Sequence, residues 1–397
     1  MTPASRRTWI TRNLIVLSLV SFTQDAASEL MYPLMPLFIT GVLAAPAIAL
    51  GIVEGAAEVT AGVSKYFAGR ASDRIGSKTL ITTGYGLAGI GKLFVASAVA
   101  WPMVMFGRVV DRIGKGIRSA PRDALITKSV KPSHYARAFG FHRSADTLGA
   151  VLGPFVALLG LMALGNSPQA LRTIMWWAVI PAVLSVIITF FVKDNKPIPT
   201  ETNQIDATPL PKSFWYAALP FIVFSLTNLP DTMLLLRLNQ VGASMTHVVL
   251  AYIGFNLVYT FAAYPAGVIA DKLSAYVVYA IGLVAFSITY IAIGRVSKES
   301  AIMYIAVALY GFFPALTDGI GKAIVSHTVP KTMHGRAQGV FQSLSGGSIL
   351  IAGIWAGLLW TYGNGHGSLP MTIAGVLAGV GALALLLMHS YRPLEQH

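Results

Sequence analysis

The residues best suited to chemistry in this sequence are carboxylates placed inside long apolar runs. Asp25 and Glu29 lie in the first run, Glu54 and Glu58 lie in the second, and Asp146 lies in the fifth. The members of each of the first two pairs are four positions apart, so each pair shares one face of a helix. A carboxylate in apolar surroundings resists ionisation unless a base lies near it. These acids are therefore candidates for carrying protons.

Basic residues occupy the fourth apolar run with helical spacing. Arg108, Arg112 and Lys115 follow the order i, i+4, i+7 and predict a basic stripe on one helical face. Arg143 adds a further base in the fifth run. One charge at the centre of a membrane helix costs roughly 2.5–3.5 kcal/mol. We therefore expect these acids and bases to face one another or water.

The depth of these residues points to a site near the middle of a membrane. At about 1.5 Å of rise per residue, Asp25, Glu58 and Arg112 each lie about 16–18 Å from a membrane face. Buried charges at that depth are functional by default. Asp111, in contrast, is as well explained by an ion pair with Arg108 or Lys115, and His142 is expected to be a solvated histidine near a span end.

The second half of the chain carries fewer intramembrane charges. Asp231 and Asp318 are its clearest acids, and Asn228 and Asn256 offer hydrogen-bonding groups. We expect the first half to handle protons and charge. The second half is expected to supply apolar and hydrogen-bonding contacts to a substrate.

The elements that position these side chains are membrane-spanning helices. Of the 397 residues, 55% are hydrophobic and only 11% are charged, whereas a soluble chain has roughly 25% charged residues. Since a spanning helix needs about 20 apolar residues, the sequence predicts an all-α membrane protein with 12 transmembrane helices in two six-helix, pseudo-symmetric bundles. The spans are predicted at about 12–40, 47–68, 79–98, 101–121, 138–163, 171–192, 213–238, 246–269, 275–294, 301–323, 336–361 and 368–389.

A polar, proline-rich interruption separates the two sets of six spans. It predicts an N-terminal bundle over 1–192, a cytoplasmic linker over 193–212 and a C-terminal bundle over 213–397. The first apolar run is too long for a signal peptide and lacks a small-residue cleavage site. We interpret it as the first transmembrane helix.

The net charge of +13 reflects orientation in a membrane rather than binding to nucleic acid. Most of the 29 Lys and Arg residues lie in or beside loops that face the cytoplasm if the N-terminus is inside. The exceptions outside the membrane are Arg172, Arg237, Arg295 and Lys298. This bias predicts that both termini are cytoplasmic, in a bacterial-type inner membrane.

The two halves repeat each other. Gly69-Arg-Ala-Ser-Asp73 after the second span matches Gly267-Val-Ile-Ala-Asp271 after the eighth, at an offset of 198 residues. Arg137-Ala-Phe-Gly140 and Arg336-Ala-Gln-Gly339 match at an offset of 199, and Ser21-Phe-Thr-Gln24 matches Ser225-Leu-Thr-Asn228 at 204. A duplication of six spans about an axis along the membrane normal is a transporter architecture.

Two motifs carry a resemblance to the major facilitator superfamily. The stretch from Gly69 through Asp73, Arg74 and Gly76 resembles the superfamily signature G-x-x-x-D-R-x-G-R-K, with Ser77 in place of the usual Arg. Gly149-Ala-Val-Leu-Gly153-Pro154 is similar to the G-x-x-x-G-P motif of its drug/proton antiporters. The resemblance covers nearly the whole chain and implies transport by alternating access.

The resemblance also implies gating residues. We expect Asp73, Arg74 and Asp123 to form a latch that holds the halves shut on the cytoplasmic side, with the first two on a short turn beside Gly69 and Gly76. Gly149, Gly153 and Pro154 allow close helix approach and a kink. Packing alone explains the two glycines equally well, because small-x-x-x-small pairs are common in membranes.

The predicted function is secondary active transport, with proton-coupled export of a small organic molecule as the leading hypothesis. The alternative is a permease for an organic anion, zwitterion or metal chelate clamped by Arg108, Arg112 and Lys115. Divalent-metal export is a weaker variant, because no paired intramembrane His supports it. An enzyme is not expected, since the sequence has no H-E-x-x-H, G-x-S-x-G or P-loop motif.

The partners expected from these hypotheses are few. They are a small-molecule substrate and the lipid bilayer, with the chain working as a monomer. No cofactor, bound metal or nucleic acid is expected, and the proton gradient is the predicted energy source.

Overall fold

A computed structural model describes residues 10–131, 134–193, 209–330 and 333–390. Within these ranges the chain is helical, with no β-strand. A 3₁₀ turn at Tyr32–Leu34 and a π turn at Phe38–Val42 flank the short helix Met35–Leu37. The helices are α1 (Arg12–Met31), α2 (Met35–Leu37), α3 (Ala47–Ile75), α4 (Ser77–Ala96), α5 (Trp101–Ser129), α6 (Tyr135–Leu164), α7 (Pro168–Trp177), α8 (Val179–Thr189), α9 (Lys212–Ser225), α10 (Asp231–Gln240), α11 (Met245–Lys272), α12 (Ala275–Arg295), α13 (Ala301–Tyr310), α14 (Phe312–His327), α15 (His334–Leu358) and α16 (Ser368–Ser390).

The predicted all-α membrane fold is confirmed. Ten helical segments of the described chain are long and apolar enough to cross a membrane. The other two predicted spans are helical but differ for physical reasons. The fourth, α5, carries many charged residues and is less apolar than the others. The seventh is divided into α9 and α10, of 14 and 10 residues.

Local sequence sets the helix ends. The hydroxyl of Thr11 accepts a hydrogen bond from the backbone N–H of Leu14, and that of Ser167 accepts one from Ala170, so both act as N-caps. The seventh span was predicted as one helix, which is wrong. Pro230 lacks an N–H and disfavours helical backbone at the residue before it, so α9 ends ahead of it and α10 starts after it.

The chain packs as two compact units that do not coincide with the two halves of the sequence. Among the described residues, unit 1 comprises 10–38 and 60–193, apart from 132 and 133, and unit 2 comprises 39–59 and 209–390, apart from 331 and 332. The first part of α3 therefore packs with the C-terminal half of the chain. Most of the predicted linker lies outside the described residues, and the predicted domain boundaries stay a prediction.

Unit 1 is organised by a close crossing of α1 and α6. A Cβ atom on Gly149 would lie 2.3 Å from the carbonyl oxygen of Phe22, and one on Gly153 would lie 2.5 Å from that of Ala26. Neither position can hold a side chain while the helices stay this close. The packing interpretation of these two glycines is therefore confirmed, and nothing tests a further role in gating.

Unit 2 contains a second close crossing, between α3 and α15. A Cβ atom on Gly51 would lie 2.3 Å from the carbonyl oxygen of Gly353, and one on Gly346 would lie 2.8 Å from the backbone of Glu58. This contact fixes the side of unit 2 on which Glu54 and Glu58 lie. The core beside it is aromatic, built from Phe221, Phe224, Phe286, Tyr290, Tyr310 and Phe313.

Arg237 at the end of α10 joins three segments of unit 2. It is 3% exposed, and its guanidinium donates hydrogen bonds to the carbonyl oxygens of Ile293, Gly294, Val296, Gly365 and His366. These carbonyls belong to the last turn of α12, the residue that follows it and the loop before α16. Carbonyl oxygens at the end of a helix need such donors, because the helix itself supplies none there.

The loop after the second span differs from the prediction. Asp73 and Arg74 were expected on a turn, but α3 continues through Ile75 and the turn is at Gly76. Gly76 has φ +88°, in the left-handed region that favours glycine. The surroundings of residues 66–75, which include Gly69, Asp73 and Arg74, lie outside what the structure describes, so the predicted latch stays a prediction.

Candidate functional site

A buried polar cluster in unit 1 is centred on His142. Its Nδ1 lies 3.3 Å from the Oγ of Ser18, and its Nε2 lies 3.4 Å from the Oγ of Ser21. The same Ser21 oxygen accepts a 3.0 Å hydrogen bond from Arg122 and lies 3.1 Å from the hydroxyl of Tyr85. Three helices, α1, α5 and α6, therefore meet at this hydroxyl, and α4 adds Tyr85.

Two carboxylates belong to the same cluster. Asp146, one turn after His142 on α6, places its Oδ1 3.7 Å from the Nε2 of the histidine. That oxygen has no hydrogen-bond partner among the described residues. The carboxylates of Asp25 and Asp146 repel each other, while Arg122 and Lys115 attract both. Asp25 and Asp146 therefore lie within the electrostatic reach of the same two bases.

The expectation that His142 is solvated is wrong. The side chain is 3% exposed, because its position on α6 turns it towards the two serines of α1. The spacing of His142 and Asp146, i and i+4, was the signal that could have identified it. Arg143 occupies the next position of the helix and is exposed, although it is still near enough to act on Asp146.

Asp111 has a different partner from the two that the sequence suggested. Its Oδ1 lies 3.1 Å from the Nζ of Lys92 on α4, and both side chains are at most 10% exposed. Gly91 and Gly107 allow this pairing, because their missing side chains let α4 and α5 touch backbone to backbone. Lys92, Arg108 and Asp111 all line a water-sized cavity of about 10 Å³.

The predicted basic stripe is present on α5, but its members have different surroundings. Arg108 is 6% exposed and lies 5.7 Å from the centre of the Tyr32 ring, whereas Arg112 is half-buried and Lys115 is exposed. Arg118, which the sequence analysis did not single out, is buried over the ring of Tyr85 at 4.2 Å. Glu29, on α1, is half-buried.

A second polar cluster lies in unit 2, where the seventh span is broken between α9 and α10. The indole Nε1 of Trp355 donates a 2.9 Å hydrogen bond to the carbonyl oxygen of Leu226, and the hydroxyl of Tyr290 donates one of 3.4 Å to that of Leu229. Irregular backbone inside a membrane needs such partners, because lipid supplies none. We call residues 226–230 the span-seven break.

Asp231 begins α10 immediately after the span-seven break. Its Oδ1 accepts a 2.8 Å hydrogen bond from the hydroxyl of Tyr310. Two polar atoms beside it have no hydrogen-bond partner in the described part of the chain: the Oδ1 of Asn228 and the Oγ1 of the fully buried Thr232. Broken membrane helices of this kind form binding sites in many transporters.

Further carboxylates surround Asp231. Glu54, Glu58 and Asp318 all lie close enough for their charges to repel that of Asp231. Asp318 also accepts a 3.4 Å hydrogen bond from Tyr259 and is attracted by Lys322. Unit 2 thus holds carboxylates from both halves of the sequence, since the second span packs its two glutamates into it. The predicted division of roles between the two halves stays a prediction.

Two further predicted residues lie at or beyond the edge of these clusters. Asn256 is half-buried and donates a 3.0 Å hydrogen bond to the backbone of Tyr252. Asp123 accepts a 3.0 Å hydrogen bond from Arg122, its neighbour in the chain. Asp123 therefore touches the edge of the His142 cluster, and its role in a latch stays a prediction.

Comparison with solved structures supports this architecture. The chain superimposes on the nucleoside transporter NupG with a TM-score of 0.78 at 14% sequence identity, covering 96% of this chain and 100% of that one. It also matches a D-xylose-proton symporter with a TM-score of 0.71 at 15% identity, covering 93% and 96% of the two chains. At this level of identity the likeness establishes the fold.

Sequence comparison establishes the family. The chain is 30% identical over 388 residues to an MFS-type transporter, MJ1317, of Methanocaldococcus jannaschii, which covers 95% of each chain. It is 33% identical over 132 residues to the multidrug resistance protein MdtH of Klebsiella pneumoniae, about a third of each chain. The Major Facilitator Superfamily profile matches residues 17–236 and 216–397. This chain is a membrane transporter of the major facilitator superfamily.

Proposed function

We propose that this transporter exports a small organic molecule from the cytoplasm in exchange for protons, by alternating access. The observation that carries the proposal is the pair of Asp25 and Asp146 beside His142 in unit 1. Two carboxylates held close in apolar surroundings cannot both stay ionised without cost. Opening to water on either side changes that cost, so the pair can bind a proton in one state and release it in the other.

The bases around this pair supply the second part of the mechanism. Arg122 is anchored to Ser21 by a 3.0 Å hydrogen bond, and it attracts both carboxylates. A proton that binds to Asp146 weakens that attraction and frees Arg122 to find another acceptor. Protonation is thereby linked to the packing of α5 against α1 and α6.

Unit 2 supplies the proposed substrate contacts. The span-seven break holds the buried Oδ1 of Asn228, which has no partner among the described residues, close in sequence to Asp231, whose carboxylate accepts a hydrogen bond from Tyr310. The ring of Tyr310 packs against that of Tyr290. Acceptor oxygens next to aromatic rings suit a molecule with hydrogen-bond donors and an apolar body. The partial match to a multidrug resistance protein is in keeping with such a substrate.

The setting of the protein is part of the same proposal. We place the chain in a bacterial-type inner membrane with both termini in the cytoplasm, working as a monomer and drawing energy from the proton gradient without a cofactor. Most Lys and Arg residues lie in loops that this orientation puts inside, including Lys78, Lys128 and Arg336.

Proton flux in liposomes tests the proposal directly. The purified protein is reconstituted with a pH-sensitive dye inside the vesicles, and candidate organic substrates are added outside. Substrates should drive proton movement in the wild type, and Asp25→Asn with Asp146→Asn should abolish it while the protein stays folded. Glu299→Gln is a matched control, because it removes an exposed carboxylate from a loop. Coupling that survives in the double variant would make the pair structural.

A further inference from the structure

The close crossing of α1 and α6 in unit 1 has a less extensive counterpart in unit 2, between α9 and α15. Shifted by the 199 positions that relate Arg137 to Arg336, Gly149 and Gly153 correspond to Ser348 and Ala352. Both of these side chains are buried in α15. α9 meets α15 over a shorter stretch than α1 meets α6, and it scarcely touches α16, whereas α1 packs along α8. α15 thus carries side chains at the positions where α6 has two glycines, and side chains limit how closely two helices can approach.

The less extensive crossing leaves a crevice of about 840 Å³ between α9, α12, α15 and α16. We call it the α9–α16 crevice. Its walls are formed mainly by aliphatic side chains, and no Asp, Glu, Lys or Arg is among the described residues that line it. Representative lining residues are Leu219, Val223, Leu283, Ile351, Leu377 and Ala384.

Three polar side chains line the crevice, and two of them already have partners in the protein. The hydroxyl of Thr227 donates a 2.8 Å hydrogen bond to the carbonyl oxygen of Phe224, and the indole of Trp355 donates one to that of Leu226. Water would therefore gain few hydrogen bonds in this space. An empty space of this size would leave its walls without dispersion contacts. The crevice needs an apolar occupant.

The position of the crevice identifies that occupant. Leu219, Val223, Ile351 and Leu377 are about half exposed, and exposed apolar residues of membrane spans face the acyl chains of the bilayer. The volume lies within the range of about 300–1,000 Å³ that is typical of ligand pockets. We propose that an acyl chain of a membrane lipid occupies the α9–α16 crevice.

The bound chain would support the candidate site. Leu226 and Thr227 line the crevice and also begin the span-seven break. A lipid chain seated there packs against the outer side of the break, while Asp231 and Tyr310 lie at its other end. The lipid is thus a part of the wall of unit 2. The assignment does not depend on the transported substrate or on proton coupling.

Trp355 is a natural reporter for this site. The full-length protein is reconstituted in phosphatidylcholine whose acyl chains carry bromine, which quenches tryptophan on contact. Because the chain has seven tryptophans, the difference between wild type and Trp355→Phe gives the emission of Trp355 alone. Brominated lipid should remove most of that emission relative to unbrominated lipid.

Two variants that fill the crevice separate a bound chain from the surrounding bilayer. Gly381 lines the crevice, and a Cβ atom added there meets its nearest neighbour at 3.9 Å, so Gly381→Leu extends into open space. Ala384→Leu is a milder second variant at an exposed position. Gly86→Leu places the same side chain in open space on α4 of unit 1 and serves as the control.

The outcomes decide the assignment. Quenching of Trp355 that is lost in Gly381→Leu and Ala384→Leu but kept in Gly86→Leu supports an acyl chain in the crevice. Trp355 emission that brominated lipid leaves unchanged overturns it. Quenching that persists in both filling variants also overturns it, because the bromine then acts from outside the crevice. Quenching that requires an added lipophilic compound carrying bromine assigns the crevice to that compound and not to a lipid.

Discussion

Replacing Arg237 by methionine should lower the free energy of unfolding of unit 2 more than the same replacement at the exposed Arg295. The side chain is buried, and its guanidinium binds the end of α12 and the loop before α16 to α10. Methionine has a similar length and keeps the apolar packing of the stem, but it donates no hydrogen bond. The change therefore isolates the contribution of the guanidinium.

The magnitude follows from the contacts. The hydrogen bonds to Gly294 and His366 measure 3.2 and 3.1 Å, the one to Val296 is at least as close, and those to Ile293 and Gly365 are at the limit of 3.4 and 3.5 Å. Three good bonds from a charged group are worth roughly 1.5–3 kcal/mol each. Burying the charge costs several kcal/mol, so we expect a net loss of about 3 kcal/mol. For a unit of roughly 200 residues this lowers the unfolding midpoint by about 6–12 °C.

Thermal unfolding of the purified protein in detergent, followed by tryptophan fluorescence, measures the effect. Arg237→Lys should lie between the wild type and Arg237→Met, because one ammonium reaches fewer carbonyls than a planar guanidinium. Arg295→Met is the matched control, since Arg295 is exposed at the end of α12. An Arg237→Met protein that melts with the wild type would show that the carbonyl contacts contribute nothing.

Three further predictions test other contacts. Gly153→Leu should lower the free energy of unfolding by about 1–3 kcal/mol, because its Cβ would overlap the backbone of α1. Gly140→Leu, in open space on the same helix, is the control and should leave stability unchanged. Equal melting temperatures of the two variants would refute the close crossing. Lys92→Met should lower stability by about 1.5–3 kcal/mol, because it removes the charged donor 3.1 Å from Asp111, while Arg108, Arg112 and Arg118 still attract that carboxylate. Unchanged melting of this variant would contradict the prediction. Hydrogen bonds from Tyr304 and His247 hold the pKa of Glu299 below its ordinary value. The contribution of Glu299 to the free energy of unfolding is therefore present above about pH 4.5 and is lost as the pH falls through the lowered value. The melting difference between wild type and Glu299→Gln should shrink in acid, and a difference independent of pH would refute this prediction.

The helices could be predicted from the sequence because apolar length alone marks a membrane span. The fold also follows from the repeat, since the matching motifs of the two halves imply a duplicated bundle. The break at Pro230 was readable in principle, because a proline that follows Asn228 and Leu229 disfavours helix there. Apolar length hid it, since the residues on both sides are hydrophobic enough to read as one span.

The partners inside the membrane were much harder to predict. Pairing Lys92 with Asp111 requires knowing how α4 and α5 are rotated about their axes, and the spacing along one helix does not contain that information. The role of Arg237 was hidden because its partners are backbone carbonyls, which every sequence has. The placement of Glu54 beside Asp231 depends on which distant helix α3 crosses, and only the stacked glycines of α3 and α15 record it.

The span-seven break has a consequence for how the protein is made. Neither α9, with 14 residues, nor α10, with 10, is long enough to cross the bilayer by itself. α10 also begins with Asp231, and a charge at the centre of a membrane helix costs roughly 2.5–3.5 kcal/mol. This stretch is therefore a poor substrate for the insertion machinery when it emerges from the ribosome. Its entry into the bilayer depends on later helices, because Tyr310 and the carbonyls that receive Arg237 are synthesised after it. Biogenesis of the C-terminal half is accordingly a cooperative step, in which the segment that carries the candidate site gains its contacts only after α13 and the loop before α16 have been made.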